Sequence, residues 1–200
     1  MRKVNKFFLF GTLCILFGLL LFSKNLWEDY QVGKETELIK ERLEEKKVIE
    51  IEKPIDDRPD YVKNPYMEMP KVTIDGNDYI GYVIIPSLEL ELPILSSWSY
   101  PKLKIAPARY EGSVYLNNMI LLAHNYTVHF GKLYRLNIGD VIQFKDMNDN
   151  LFDFTVEKKE ELDEIQVEEM VSGDWDLTLF TCTLGGEART TIRCKRIENR

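Results

Sequence analysis

Two hundred residues, 44% of them hydrophobic, suffice for one domain with a packed core and are too few for two large ones. The formal net charge is −7, and no long basic block interleaved with aromatics occurs, which argues against a nucleic-acid partner.

The chain opens with Arg2, Lys3 and Lys6 ahead of sixteen uncharged residues, Phe7 to Phe22, followed by Lys24 and Trp27. That pattern is a membrane signal. A cleavable signal peptide ends in a pair of small residues, which the stretch LLFSKNL lacks, so the segment reads as a retained anchor. The run falls a little short of the roughly 20 residues a bilayer core asks for, and Lys6, Lys24 and Trp27 at the headgroups extend it to about that length. Residues 1–27 are thus a basic cytoplasmic start and a single-pass anchor in the cell membrane. Residues 28–200 are then extracellular.

Residues 28–53 are rich in Glu and Lys, with Leu38, Ile39, Leu43 and Val48 on a rough helical spacing. They read as a charged, solvated helical stalk, and fewer than three heptads makes a coiled coil the weaker alternative. The Pro-rich, polar stretch 54–71 reads as an extended linker, and the compact domain is expected to begin at Val72 and to run to residue 200.

Short apolar runs then recur between turns: 79–85, 88–95, 119–124, 140–144, 151–157, 176–182 and 190–197. Their length and β-branched content predict strands. In LFDFTVE, Phe152, Phe154 and Val156 alternate with Asp153, Thr155 and Glu157, as in a half-buried sheet. Helical turns are predicted near 98–105 and 129–139, the second closed by Gly139. Seven or eight short strands with few helices predict an all-β, antiparallel sandwich or closed barrel. The sequence stops three residues after its last predicted strand, so no second membrane span is expected.

The cysteines are Cys14, Cys182 and Cys194, and Cys14 falls inside the apolar span. If 178–182 and 189–196 form a hairpin, Cys182 sits near its tip. Cys194 then lies several residues down the second strand at about 3.3 Å per residue, beyond the Cα separation of about 6 Å that a disulfide spans. An unpaired extracellular thiol at a strand end, with an arginine a short loop later, is a candidate nucleophile. The bland alternative is a small buried hydrophobe. Of the two histidines, His124 ends the strand MILLAH, where a side chain can leave the core and meet a groove, whereas His129 reads as structural. With 183–188 as the hairpin loop, Arg189 stands opposite Cys182, Arg193 lies four residues deeper on the same face, and Arg196 faces the other way. Arg189 is therefore the expected oxyanion donor, since guanidinium stays protonated where a lysine is less dependable. No metal-ligating constellation or phosphate-binding loop is present; the acidic stretch 157–170 reads as a solvated face, a loose calcium site being the alternative. No cofactor or metal is expected.

These residues resemble the sortases, cysteine transpeptidases of Gram-positive cell surfaces. Thr178-Leu179-Phe180-Thr181-Cys182 matches the signature TLxTC, His124 follows a strand as the sortase histidine does, and Arg189 begins the strand after the cysteine. GYVIIPSLELELPIL and FGKLYRLNIGDVIQF resemble further family segments, so the likeness covers roughly the last two-thirds of the chain. Ala123 stands where many members carry glycine, and the loop from Cys182 to Arg189 is short.

The resemblance implies an all-β, closed eight-stranded barrel with short helices, held outside the membrane by an N-terminal helix and stalk. It implies cleavage of an LPxTG-like C-terminal sorting motif through a thioacyl intermediate and transfer to a cell-wall amine. Cys182 would be the nucleophile, Arg189 the oxyanion donor and His124 the acid and base, with Thr181 beside the substrate. The partners implied are surface proteins bearing the motif and a peptidoglycan-precursor amine; the oligomeric state and the motif itself are not legible. With no aspartate-aromatic lid or second anchor evident, the pilin-polymerising subclass is disfavoured. Two other readings stand beside this one: a tethered β-barrel binding module with a buried thiol, and another cell-wall cysteine hydrolase or transpeptidase, whose usual His-Gly-Cys setting is missing.

Overall fold

The computed structural model describes residues 6–49, 59–183 and 185–197; the start of the basic segment, the stalk–linker junction at 50–58, Leu184 and 198–200 lie outside the described residues. In chain order the elements are α1 (Lys6–Ile49), α2 (Asp60–Lys63), β1 (Val72–Ile74), β2 (Asn77–Ile85), β3 (Leu90–Leu95), α3 (Tyr100–Leu103), β4 (Ala108–Glu111), β5 (Met119–Ala123), β6 (Val141–Asp146), β7 (Leu151–Asp163), α4 (Val167–Val171), β8 (Leu177–Cys182) and β9 (Ala188–Arg196).

Eight strands close into a barrel in the order β2-β3-β4-β5-β8-β9-β7-β6, and β6 pairs back onto β2, while β1 flanks β2 outside the ring. Closure depends on a close approach at Gly81. Its φ is +152°, and a Cβ there would sit 2.2 Å from the Lys145 carbonyl oxygen, so a side chain would push β2 off β6.

Alternation along the strands sorts the side chains into two layers. Leu177 and Leu179 of β8, Leu121 and Ala123 of β5, Ile192 and Cys194 of β9 and Phe152, Phe154 and Val156 of β7 fill the barrel interior. Phe180, Ile120 and Leu122, from the same strands, point outward into a second apolar layer with Leu103, Ala106 and Ala108 from the β3–β4 crossover. The pattern LFDFTVE was legible as a half-buried strand, but β7 runs on to Asp163 because, past an irregularity at Glu157, Lys158 to Asp163 pair along β9. β1 and β4, with three and four residues, are too short to announce themselves by periodicity. The predicted turn at 129–139 is a 3-10 helix at Phe130–Arg135 whose Phe130 and Leu133 plug the core.

The charged segment after the apolar run departs from the solvated reading. α1 is one continuous helix, and Val32, Thr36, Ile39 and Leu43, spaced on one helical face, are buried against the barrel. Burying Ile39 and Leu43 contributes about 2 kcal/mol each, enough to favour docking over a solvated rod. Lys40 pairs with Glu91 at 3.0 Å and Arg42 with Asp75, so the charges that suggested solvation partly bind the barrel instead. Leu38 remains exposed. The apolar part of α1, with an eighteen-residue window of mean hydropathy 1.5, projects free of the barrel and is long and apolar enough to cross a membrane.

Candidate active site

The parallel pairing of β5 with β8 ends at Ala123↔Thr181, which places the next residues of the two strands, His124 and Cys182, side by side. Across the other edge of β8, Cys182 is the registered partner of Arg189. Neighbouring strands lie about 4.8 Å apart, so an imidazole, a thiol and a guanidinium stand in a row across three adjacent strands. The row continues the outward-facing set of Leu122 and Phe180, so Cys182 is outside the barrel and half-buried. Cys194 pairs with Leu177 five positions away, faces the interior and is fully buried, so the two thiols do not meet.

Burial, reinforced by the nearby Lys104 ammonium, holds the His124 imidazole below its ordinary value, so it is neutral at pH 7. Its ring meets Tyr126 edge-on at 5.4 Å, and Tyr126 in turn meets His129 at 5.7 Å. His129 is fully buried, and burial pushes its pKa down to about 4. Its Nε2 lies 3.4 Å from the Thr36 hydroxyl, which donates its own hydrogen to the Val32 carbonyl. The ring N–H is therefore on Nε2, and Nδ1 is left without a partner. This is a structural histidine.

Arg189 holds its hairpin loop by donating from Nη1 to the carbonyls of Gly186, at 3.0 Å, and Ala188, at 3.2 Å. Thr183 closes the loop, exchanging backbone hydrogen bonds with Ala188 and Gly186, while Asn125 Nδ2 donates to its carbonyl at 3.4 Å. The two loops flanking the row are thus joined.

Arg193 has a different task. It is 2% exposed and donates to Glu160 at 2.8 Å, to Thr178 at 3.1 Å and to the Met170 and Glu169 carbonyls at 2.7 and 2.6 Å, riveting α4 to β9. Arg196 lies over the Phe152 ring and donates to Asn117.

Thr181 does not join the row. It faces the barrel interior, 4% exposed, and donates to the Ala123 carbonyl at 2.9 Å, pinning β8 to β5 immediately before Cys182 and His124. Residues that sequence reasoning did not single out lie on the outer face of the same strand: Trp98 stacks on Tyr110 at 5.7 Å, and Tyr110 meets Phe180, two residues before Cys182, edge-on at 5.6 Å. Both faces of β8 are buried, so alternation alone could not say which face was outer. Among the described residues no group of three or more His, Cys, Asp or Glu could hold a metal ion, and Glu160 of the acidic stretch is tied to Lys158 and Arg193.

A closed barrel with a thiol flanked by imidazole and guanidinium on its outer wall is the layout of an acyl-transfer enzyme of the cysteine type. The Sortase domain matches residues 83–197, and this chain belongs to the sortase family, the cysteine transpeptidases that act on proteins bearing a sorting motif. Sortase A of Bacillus anthracis is 28% identical over 194 residues, covering 91% of this chain and 89% of that protein. Sortase C1 of Streptococcus agalactiae superposes with a TM-score of 0.56 at 24% identity, covering 64% of this chain and 72% of that one. Sortase C-1 of Streptococcus pneumoniae does so with a TM-score of 0.51 at 20% identity, over 60% of this chain and 67% of that one. These structural likenesses are of fold.

Proposed function

We propose that this chain is a membrane-anchored sortase that cleaves an LPxTG-like motif through a thioacyl intermediate on Cys182 and passes the acyl group to a cell-wall amine. The observation that carries the reading is the row His124–Cys182–Arg189 on the outer wall, beside the aromatic cluster of Trp98, Tyr110 and Phe180. The thiol proton passes to neutral His124 as sulfur attacks the scissile carbonyl. Arg189 Nη2 and Nε hold the oxyanion while Nη1 keeps the guanidinium on its loop. His124 then gives the proton to the leaving amine, the C–N bond breaks, and a thioester remains. The incoming amine loses its proton to His124, attacks the thioester and returns sulfur to the thiol.

The anchor sets the height of this chemistry. Asp29 of α1 contacts Thr127, in the loop after His124, and lies seven residues past Phe22, about 10 Å at 1.5 Å per residue. On this reading the catalytic row works beside the headgroups, outside the cell membrane, where membrane-borne donors and acceptors are presented. The aspartate-aromatic pair Asp60-Tyr61 is not placed as a lid: Tyr61 stacks on Tyr115 at 4.9 Å and meets Phe152 at a tilt at 5.1 Å, at the far end of the barrel from Cys182. That supports a subclass other than the pilin-polymerising one.

The test uses the full chain in detergent micelles, a peptide carrying Leu-Pro-Glu-Thr-Gly and hydroxylamine as the amine. Cleavage after threonine with formation of the threonine hydroxamate is expected. A peptide left intact, or cut without any hydroxamate across a range of hydroxylamine concentrations, would remove the transpeptidase assignment to this motif class.

A further inference from the structure

The loop that follows His124 is held by α1 as well as by the barrel. Thr127 donates its backbone N–H to Asp29 Oδ1 at 3.1 Å and its hydroxyl to Oδ2 of the same carboxylate. One turn further along the helix, Gly33 allows close approach of Val128, whose Cγ1 would lie 3.2 Å from any Cβ placed there. One turn on again, Thr36 receives buried His129. Three successive turns of α1 thus fix three successive residues of the loop, and Tyr126, immediately before them, carries the His124 ring on its edge. The apolar burial of Ile39 and Leu43 anchors the helix in turn to the barrel wall.

We propose that Asp29 is a positioning residue for the transfer reaction: by clamping Thr127 it fixes the 125–129 loop and thereby the distance and angle at which His124 meets the Cys182 sulfur and the leaving amine. A proton donor misplaced by about 1 Å can cost up to a hundredfold in rate while the surface beside β8 is untouched. The residues after the anchor are therefore part of the active site, and a fragment beginning at the barrel lacks the support of its own catalytic histidine. The proposal rests on the transpeptidase reading above for its kinetic readout, and it carries a second readout that does not.

The test uses the full chain in micelles and the Leu-Pro-Glu-Thr-Gly peptide. Asp29→Ala is expected to lower kcat tenfold or more with KM within twofold, and to shift the His124 ring signals in nitrogen–proton correlation spectra, assigned against His129→Gln as there are two histidines. Thr127→Ala should reproduce the loss and Thr127→Ser should rescue it. The double variant Asp29→Ala/Thr127→Ala should be no slower than either single one, because both remove the same clamp. Wild-type kcat in Asp29→Ala with unmoved His124 signals overturns the proposal, as does a loss that tracks a falling melting temperature or that adds in the double variant. If the wild-type chain leaves the peptide intact, the transpeptidase reading fails on its own account, and the His124 ring signals of Asp29→Ala decide the positioning role.

Discussion

Cys182→Ala is expected to abolish peptide turnover, at least about 10⁴-fold, with the barrel still folded. On the proposed mechanism the thiol forms the acyl bond, His124 serves as acid and base, and Arg189 holds the oxyanion. Removing the sulfur leaves Arg189 and the aromatic cluster at Phe180 in place, so peptide binding should survive the loss of chemistry. The sulfur is half-buried at the last position of β8, on the outer wall, where its loss opens no cavity inside the barrel. A stability change within about 1 kcal/mol follows. Cys194 supplies the contrast. It is fully buried among the interior side chains, and burial, with Glu157 and Asp176 adding to it, pushes its thiol far up. Cys194→Ala should therefore weaken the fold by about 1 to 2 kcal/mol and leave kcat essentially unchanged. A charged methanethiosulfonate reagent added to the folded chain should modify Cys182 and spare Cys194. Turnover retained in Cys182→Ala would remove the nucleophile from the account.

The second large effect separates two arginines on one strand face. Arg189→Lys should fold normally and lose about 10² to 10³ in kcat with little change in KM, since a single ammonium cannot hold both the hairpin carbonyls and an oxyanion with planar geometry. Arg193→Ala should do the opposite. Removing it leaves Thr178 and the Met170 and Glu169 carbonyls without this donor and Glu160 with Lys158 alone, which costs about 2 kcal/mol or more. The variant's defect should therefore appear as a lowered denaturation midpoint, with kcat per folded molecule nearly preserved. Kinetic and thermal measurements on both variants check this. If Arg193→Ala is catalytically dead while well folded and Arg189→Ala is active, the pairing of Cys182 with Arg189 is not the productive one.

How much of this was legible in the sequence differs from residue to residue, for physical reasons. Cys182 and Arg189 could be paired from the text because the Gly-Gly turn between them fixes a short hairpin, and in a hairpin register follows from loop length. His124 could be placed at a strand mouth because an apolar run ended on it. Its neighbour relation to Cys182 could not be read, since a parallel pairing joins segments more than fifty residues apart and leaves no local trace. The inward direction of Thr181 could not be read because β8 is buried on both faces, which erases the alternation. The docking of α1 had a trace that was passed over: Val32, Thr36, Ile39 and Leu43 keep a helical spacing inside the charged segment. The many Glu and Lys residues around them suggested solvent, yet they occupy the other faces of the helix. Arg193 looked like a catalytic alternate because sequence records its face but not its burial.

The most direct measurement is the intact mass of the full chain, acid-quenched during turnover of the Leu-Pro-Glu-Thr-Gly peptide and then digested to locate any adduct. A thioester should appear on Cys182, carrying the peptide through its threonine and discharged by hydroxylamine. Steady peptide cleavage with no adduct under quenching faster than turnover, or an adduct on any other residue, would contradict acyl transfer through this row.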